Sequence, residues 1–489
     1  MPPPNTLYLS ALPFLFLFIF LSTSHFFPNQ SSPFSLSLFK PSSPSPEVQI
    51  GQGIIVGTII DEKYPAPVEA FLGIPYAQPP VGELRFRRAV KVQASDERVS
   101  AGKWGYIIGA LGFLPSKLTF EENIVNLGLH DQVFLLQWVQ DNIEAFGGDK
   151  NDVTIFGLSA GAHSIGHHIL NYKEGTKPLF HKAILESGAP TSRAVHPYDA
   201  PIHAEQFALF LNLTNCSSPP PPSSPILECL RTLPSKSITT AQTAVFDTYN
   251  PSLRWAFQPV IDHELIHGRP IDVWKSGKWN RVPIMTGHAT NEGTFYVPRQ
   301  VSTSEEFTDF WRTLLPHFTE SDLKRIEELY PDPETNQESV YREERNMSAL
   351  GIGSQFKRLE ASYAQYAYIC PVLQTASIVS FSSSSTDKKQ AVYVFHWAVN
   401  SSVLGGANHG DNMYYESFQE SITSISERQK EISGVYHGFV TSFITSKGGD
   451  LDGVEGRFGK GVKWGKFKGR NGEERKGQNR KGKVGSRKE

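Results

Sequence analysis

The sequence predicts an α/β fold from three observations. The run Val153-Thr154-Ile155-Phe156 is short and apolar, reads as a buried strand, and leads straight into Gly157-Leu158-Ser159-Ala160-Gly161. Upstream, Leu129, Val133, Leu136, Val139 and Ile143 are spaced four, three, three and four apart, the period of a helix buried on one face. Downstream, Ala162-His163-Ser164-Ile165-Gly166 reads as the start of another helix. Helix, strand, turn and helix in that order make a nucleophile elbow, where flanking glycines permit a strained turn and leave the serine hydroxyl exposed at the end of a sheet. The G-x-S-x-G pattern alone is weak, because a chain with 40 glycines also produces it in surface loops. The apolar strand and the two helices around it favour the elbow. Farther on, the alternating run Ala391-Val392-Tyr393-Val394-Phe395 reads as a late strand, with His396 packed in the core.

Blocks on both sides of the elbow carry a resemblance. They are Phe71-Leu72-Gly73-Ile74-Pro75-Tyr76-Ala77 with Pro79-Pro80-Val81-Gly82 and Leu84-Arg85-Phe86, then Gly128-Leu129-His130-Asp131-Gln132, then Phe146-Gly147-Gly148-Asp149. After the elbow come Pro259-Val260-Ile261-Asp262, Asn291-Glu292-Gly293 and Asn408-His409-Gly410. In this order they resemble the type B carboxylesterase and cholinesterase family, from about Gly51 to about Ser446. The resemblance implies an α/β-hydrolase fold, with a mostly parallel central sheet flanked by helices. It also implies a carboxylic-ester hydrolase of the esterase or lipase type, with a small-molecule ester as substrate.

A serine hydroxyl is a poor nucleophile until a neutral imidazole takes its proton and a carboxylate orients that imidazole. The resemblance assigns these roles to Ser159, His409 and Glu292, in the chain order usual for this fold. Taken singly, a glutamate before glycine is a solvated turn residue and a histidine before glycine an ordinary loop residue. It is the surrounding blocks that single these two out. His163 and His167 stand at the i, i+4 spacing of a metal pair, with His168 beside them, but no third ligand follows in a known pattern. No metal or other cofactor is expected. The resemblance also places Ala160 as an oxyanion donor, Leu253, Trp255 and Phe257 in the acyl pocket, and Ser187 behind the triad. A core strand would read the same way as that pocket segment, and a strand-end turn residue the same way as Ser187. Leu158 stands where many relatives have glutamate, which points away from cationic, choline-like alcohols.

The chain departs from the family between Phe86 and Gly109. Relatives carry there two central strands and a His-Gly-Gly-Gly type loop, whereas this chain bridges the interval with Arg87 to Ile108 alone, about seventy residues short of the usual layout. The sheet is therefore expected to be incomplete in its central strands, with an open edge beside the nucleophile strand. The loop supplies oxyanion donors, so the alternative to an enzyme is a catalytically silent, cholinesterase-like binding protein. A coding segment dropped from the sequence and a genuine inactive form both account for the gap.

The remaining segments frame the domain at 51–450. Residues 1–24 read as a signal peptide, because the apolar stretch Leu12 to Leu21 is about ten residues long, too short for a bilayer core of about 30 Å. Residues 25–50 read as a Ser/Pro-rich linker, and 451–489 as a basic, Gly-rich disordered tail. The tail lacks any nucleic-acid-binding signature, and no stable membrane span is expected. A net charge of −2 conveys little about partners. Cys216 and Cys229 bracket a Pro-rich loop that suits a disulfide, a bridge the family commonly has at this place, while Cys370 is expected to be a buried free thiol. Sequons at Asn29, Asn212, Asn215, Asn346 and Asn400 fit a glycosylated secreted protein.

Overall fold

A computed structural model describes residues 16–18, 45–61, 66–94, 98–100, 109–217, 224–342, 351–381, 390–400, 406–451 and 462–468. In chain order its strands are β1 (Phe16–Phe18), β2 (Glu47–Ile50), β3 (Gly53–Val56), β4 (Thr58–Ile60), β5 (Val68–Ala70), β6 (Arg98–Ser100), β7 (Thr154–Leu158), β8 (Lys182–Glu186), β9 (Ile284–Ala289) and β10 (Val392–Trp397). The central sheet has the order β1-β7-β8-β9-β10, and β7 through β10 are mutually parallel. Two small sheets, β2-β3-β6 and β4-β5, come from the N-terminal blocks.

Strands covered on both sides must be apolar on both faces, and these are. Ala183 and Leu185 of β8 point into one core with Ile284 and Val392, while Ile184 points into the other with Met285 and Tyr393. The first core is closed by Leu136, by Ala162, Ile165 and Ile169, and by Ala376 and Val379, from the helices Leu127–Asn142, Ala160–Leu170 and Cys370–Phe381. The second is closed by Tyr436, Phe439, Val440 and Phe443 of the helix Glu427–Thr445. The predicted helix thus spans Leu127–Asn142 and ends in a 3-10 turn over Ile143–Phe146, with Leu129, Leu136 and Val139 buried. The predicted strand is β7, and the predicted second helix is Ala160–Leu170.

The open edge expected beside the nucleophile strand is occupied. β1 pairs antiparallel with β7, in the register Phe16 to Leu158, Leu17 to Gly157 and Phe18 to Phe156. A segment of the apolar leader therefore lies where the absent strands would begin; the rest of residues 1–24 is outside the described residues.

Three expectations need correction. Cys370 is exposed rather than buried, because it begins the Cys370–Phe381 helix on the side facing solvent. His396 is exposed near the end of the edge strand β10, where its Nε2 lies 2.8 Å from Thr290 Oγ1, so it does not pack in the core. Within the stretch read as a disordered tail, Trp464 and Phe467 pack against the two cores, and Phe467 N–H donates to Val392 O at 2.7 Å. Large aromatic side chains inside a basic, Gly-rich run found apolar cover along β10. Cys216 and Cys229 are disulfide-bonded, with their Cα atoms 5.9 Å apart. Among the described residues no helix is long and apolar enough to cross a membrane.

Candidate active site

Ser159 follows β7 and caps the Ala160–Leu170 helix with φ 57° and ψ −121°, a conformation that costs a non-glycine residue about 1–3 kcal/mol. Its surroundings impose this turn. A Cβ on Gly157 would lie 2.6 Å from the Gly161 carbonyl carbon, and one on Gly188 would lie 2.7 Å from Ser159 O. Ser159 N–H donates to Glu186 O at 2.8 Å, which ties the turn to the end of β8. Ala160 opens the helix, so its N–H has no intrahelical acceptor and points out at the positive end of the helix dipole.

Glu292 and His409 sit on turns after β9 and β10, and a parallel bridge between Asn291 and Asn408 joins those turns. Asn291 N–H donates to Ala407 O at 2.8 Å, and Ala407 N–H returns to Asn291 Oδ1 at 3.1 Å. The buried Glu360 accepts from Gly293 N–H at 3.1 Å and from Asn291 Nδ2 at 3.2 Å, which holds the glutamate turn from behind. Glu292 is fully buried. Its Oε1 accepts from Ser187 Oγ and from Ala289 N–H, each at 2.6 Å, and its Oε2 lies 2.5 Å from His409 Nδ1. Gly410, at φ 83°, supplies the left-handed backbone that turns the chain after the histidine. The structure therefore brings Ser159, His409 and Glu292 to one end of the sheet, with Ser187 hydrogen-bonded to the acid.

Aromatic rings wall the histidine. Tyr368 and Tyr296 lie 4.7 Å and 5.4 Å from the His409 ring, centroid to centroid. A π-helical turn over Gln365–Ile369 separates the helices Phe356–Ala364 and Cys370–Phe381, and its extra residue turns both Tyr363 and Tyr368 inward. Burial pushes the Tyr368 hydroxyl well above the usual phenol range and raises that of Tyr296 as well, so both remain neutral donors. Sequence reasoning missed these tyrosines and Arg193; the dense run Tyr363, Tyr366, Tyr368 was the available signal.

Of the expected acyl-pocket residues, Leu253 and Trp255 share one hydrophobic cluster and Phe257 lies in another. Trp255 faces Tyr296 at 5.7 Å and lies under the Arg193 guanidinium at 3.9 Å. Leu253 is buried with Phe307, Trp311 and Tyr363, while Phe257 packs against Phe210 in a different cluster. A cavity of about 380 Å³ lined by Pro251, Ser252, Gln300, Glu306 and Phe310 includes none of the three triad candidates. His163 Nδ1 lies 3.2 Å from Ala189 N and 3.1 Å from Ala189 O, and His168 Nε2 lies 2.8 Å from Gln132 Oε1. Burial holds the His167 imidazole down to about 4 and that of His168 down to about 3. These three histidines are packing residues behind the elbow, and among the described residues no group of three or more potential ligands is placed to hold a metal.

A profile of the carboxylesterase family matches residues 44–106 and 102–481, and the two segments meet inside the shortened interval. Secreted lipase 4 of Gibberella zeae is 35% identical over 362 residues, which cover 74% of this chain and 62% of the relative. Lipase 2 of Geotrichum candidum is 28% identical over 330 residues, 64% of this chain and 54% of the relative. An acetylcholinesterase of Electrophorus electricus is 27% identical over 366 residues, 72% and 54% respectively. The matches span from about half to under two thirds of the relatives' own length. Among solved structures, Aspergillus niger EstA shares the fold, with a TM-score of 0.69 at 21% identity over 86% of this chain and 92% of that one. With the family profile covering most of its length and an α/β-hydrolase sheet carrying the elbow, the chain belongs to the carboxylesterase family.

Proposed function

We propose that the chain is a secreted carboxylic-ester hydrolase acting through an acyl-enzyme on Ser159. The observation that carries this is the buried Glu292 carboxylate, which lies 2.5 Å from His409 Nδ1 while Ser187 and Ala289 fix its other oxygen. That carboxylate keeps the proton on Nδ1 and leaves Nε2 free to take one. Ser159 Oγ attacks the ester carbonyl and passes its proton to His409 Nε2, and the oxyanion faces Ala160 N–H. Collapse expels the alcohol, which takes the proton from His409. Water then attacks the acyl-serine with His409 again as base, and the carboxylic acid leaves as Ser159 recovers its proton. Secretion and glycosylation belong to the same proposal, supported by the name of the Gibberella zeae relative and by the exposed Asn212, Asn215 and Asn400.

The second reading, a catalytically silent binding protein, is favoured by the interval Arg87–Ile108, which contains no Gly-Gly pair to complete the oxyanion hole. Each missing donor costs about a hundred- to a thousandfold in turnover, so hydrolysis by the chain is slow even on the first reading. A labelled fluorophosphonate separates the two. An adduct on the peptide containing Ser159, lost in Ser159→Ala, is the expected result; a folded sample that takes no label makes the silent reading the right one.

A further inference from the structure

Arg193 brings a positive charge to the wall of this site, with no counter-charge among the described residues. Its guanidinium carbon lies 3.9 Å above the Trp255 ring, and its Nη2 donates to the neutral Tyr363 hydroxyl at 2.9 Å. Among the described residues no carboxylate pairs with it. An arginine has five N–H donors, and stacking on a ring leaves the edge of the guanidinium plane free, the direction from which a carboxylate is held by two parallel hydrogen bonds. The stacked ring and the phenol oxygen satisfy part of the cation, and its remaining donors suit an anion.

The way from Arg193 to the reaction centre is short and continuous. Trp255 lies 5.7 Å from Tyr296, and Tyr296 lies 5.4 Å from the His409 ring. On the other side Tyr363, which accepts from Arg193, lies 6.3 Å from Tyr368, itself 4.7 Å from His409. Tyr296 and Tyr368 add neutral hydroxyls along this wall. The field of Arg193 also reaches the elbow helix, where the His163 imidazole is pushed well below its usual range, first by burial and then by the arginine. The resemblance assigns Trp255 to the acyl pocket, and on that assignment the charge stands on the acyl side of the scissile bond.

We propose that Arg193 selects esters whose acyl chain ends in a carboxylate, so that the favoured substrate is a half-ester of a short dicarboxylic acid. This rests on the hydrolase reading above and leaves its chemistry unchanged: the alcohol departs, and the product is the dicarboxylic acid. Monoethyl glutarate and ethyl valerate have acyl chains of equal length and differ in a terminal carboxylate, so their kcat/KM ratio reads the preference directly. The ratio should favour monoethyl glutarate in the wild type, fall about 10- to 100-fold in Arg193→Met, and recover in part in Arg193→Lys, which keeps the charge but not the fork. A wild-type ratio at or below one overturns the proposal. So does a loss in Arg193→Met that is equal for both esters, which would make the arginine a packing residue. If neither ester is hydrolysed, the hydrolase reading fails by itself, and calorimetry with the free acids still decides. Glutarate binding tighter than valerate, with the difference abolished in Arg193→Met, supports the anion site; equal binding refutes it.

Discussion

Replacing Glu292 with glutamine removes one charge and keeps the shape, and the contacts dictate how the amide must sit. Ala289 N–H can only donate, and it points at the oxygen it shares with Ser187. The amide oxygen must therefore take that place, which turns the NH2 group toward His409 Nδ1 at the position where Oε2 now lies 2.5 Å away. A donor facing Nδ1 stabilises the tautomer with its proton on Nε2, the nitrogen that should accept the proton of Ser159. The structural template for this change is a loss of about 10⁴-fold in kcat, or about 5 kcal/mol in the transition state. Stability should shift far less, since one charge-assisted hydrogen bond contributes about 1.5–3 kcal/mol and a buried charge is relieved at the same time. Steady-state hydrolysis of 4-nitrophenyl butyrate, read beside thermal unfolding, checks both halves. A folded Glu292→Gln protein within tenfold of the wild-type kcat would refute the orientation argument.

The buried histidines make the fold acid-sensitive. Burial holds His167 and His203 down to about 4 and His168 to about 3, so the unfolded chain takes up protons below about pH 6.5 that the folded chain refuses. Stability from each histidine is full above that pH and is lost at about 1.4 kcal/mol per pH unit as pH falls toward 4; the Tm measured between pH 7.5 and 5 should drop, and His203→Leu should make that drop shallower. Gly157→Ala sets a methyl group 2.6 Å from rigid Gly161 backbone, and should cost about 1–3 kcal/mol by denaturant titration together with fluorophosphonate labelling. A chain starting at His25 lacks β1, so the outward-facing amides of Phe156 to Leu158 should lose hydrogen-exchange protection; unchanged exchange would mean that β1 contributes nothing to the edge.

Much of the site was legible because it is local or motif-borne. The period of Leu129 to Val139 marked the helix that covers β7, and Gly157, Ser159 and Gly161 marked a turn in which a side chain on Gly157 would meet the Gly161 backbone. Glu292 and His409 were legible through their flanking residues, and the structure shows why those residues accompany them: Asn291 and Asn408 bridge the two turns, and Gly410 takes the left-handed conformation after the histidine. What stayed hidden depends on partners distant in sequence. Nothing local tells that Phe16–Phe18 pairs with a strand more than a hundred residues away, or that Trp464 and Phe467 find apolar cover along β10. Arg193 is a single cation in an ordinary loop until the fold stacks it on Trp255, and His396 reads as core until β10 proves to be the last strand of its sheet.

The central claim is that Ser159 is an activated nucleophile in a site short of oxyanion donors. Hydrolysis of 4-nitrophenyl butyrate by purified, folded chain and by Ser159→Ala tests it most directly. Slow turnover that depends on Ser159 and is abolished in the variant is the expected result. Turnover equal in both proteins, or none above the buffer rate in the folded wild type, would contradict it.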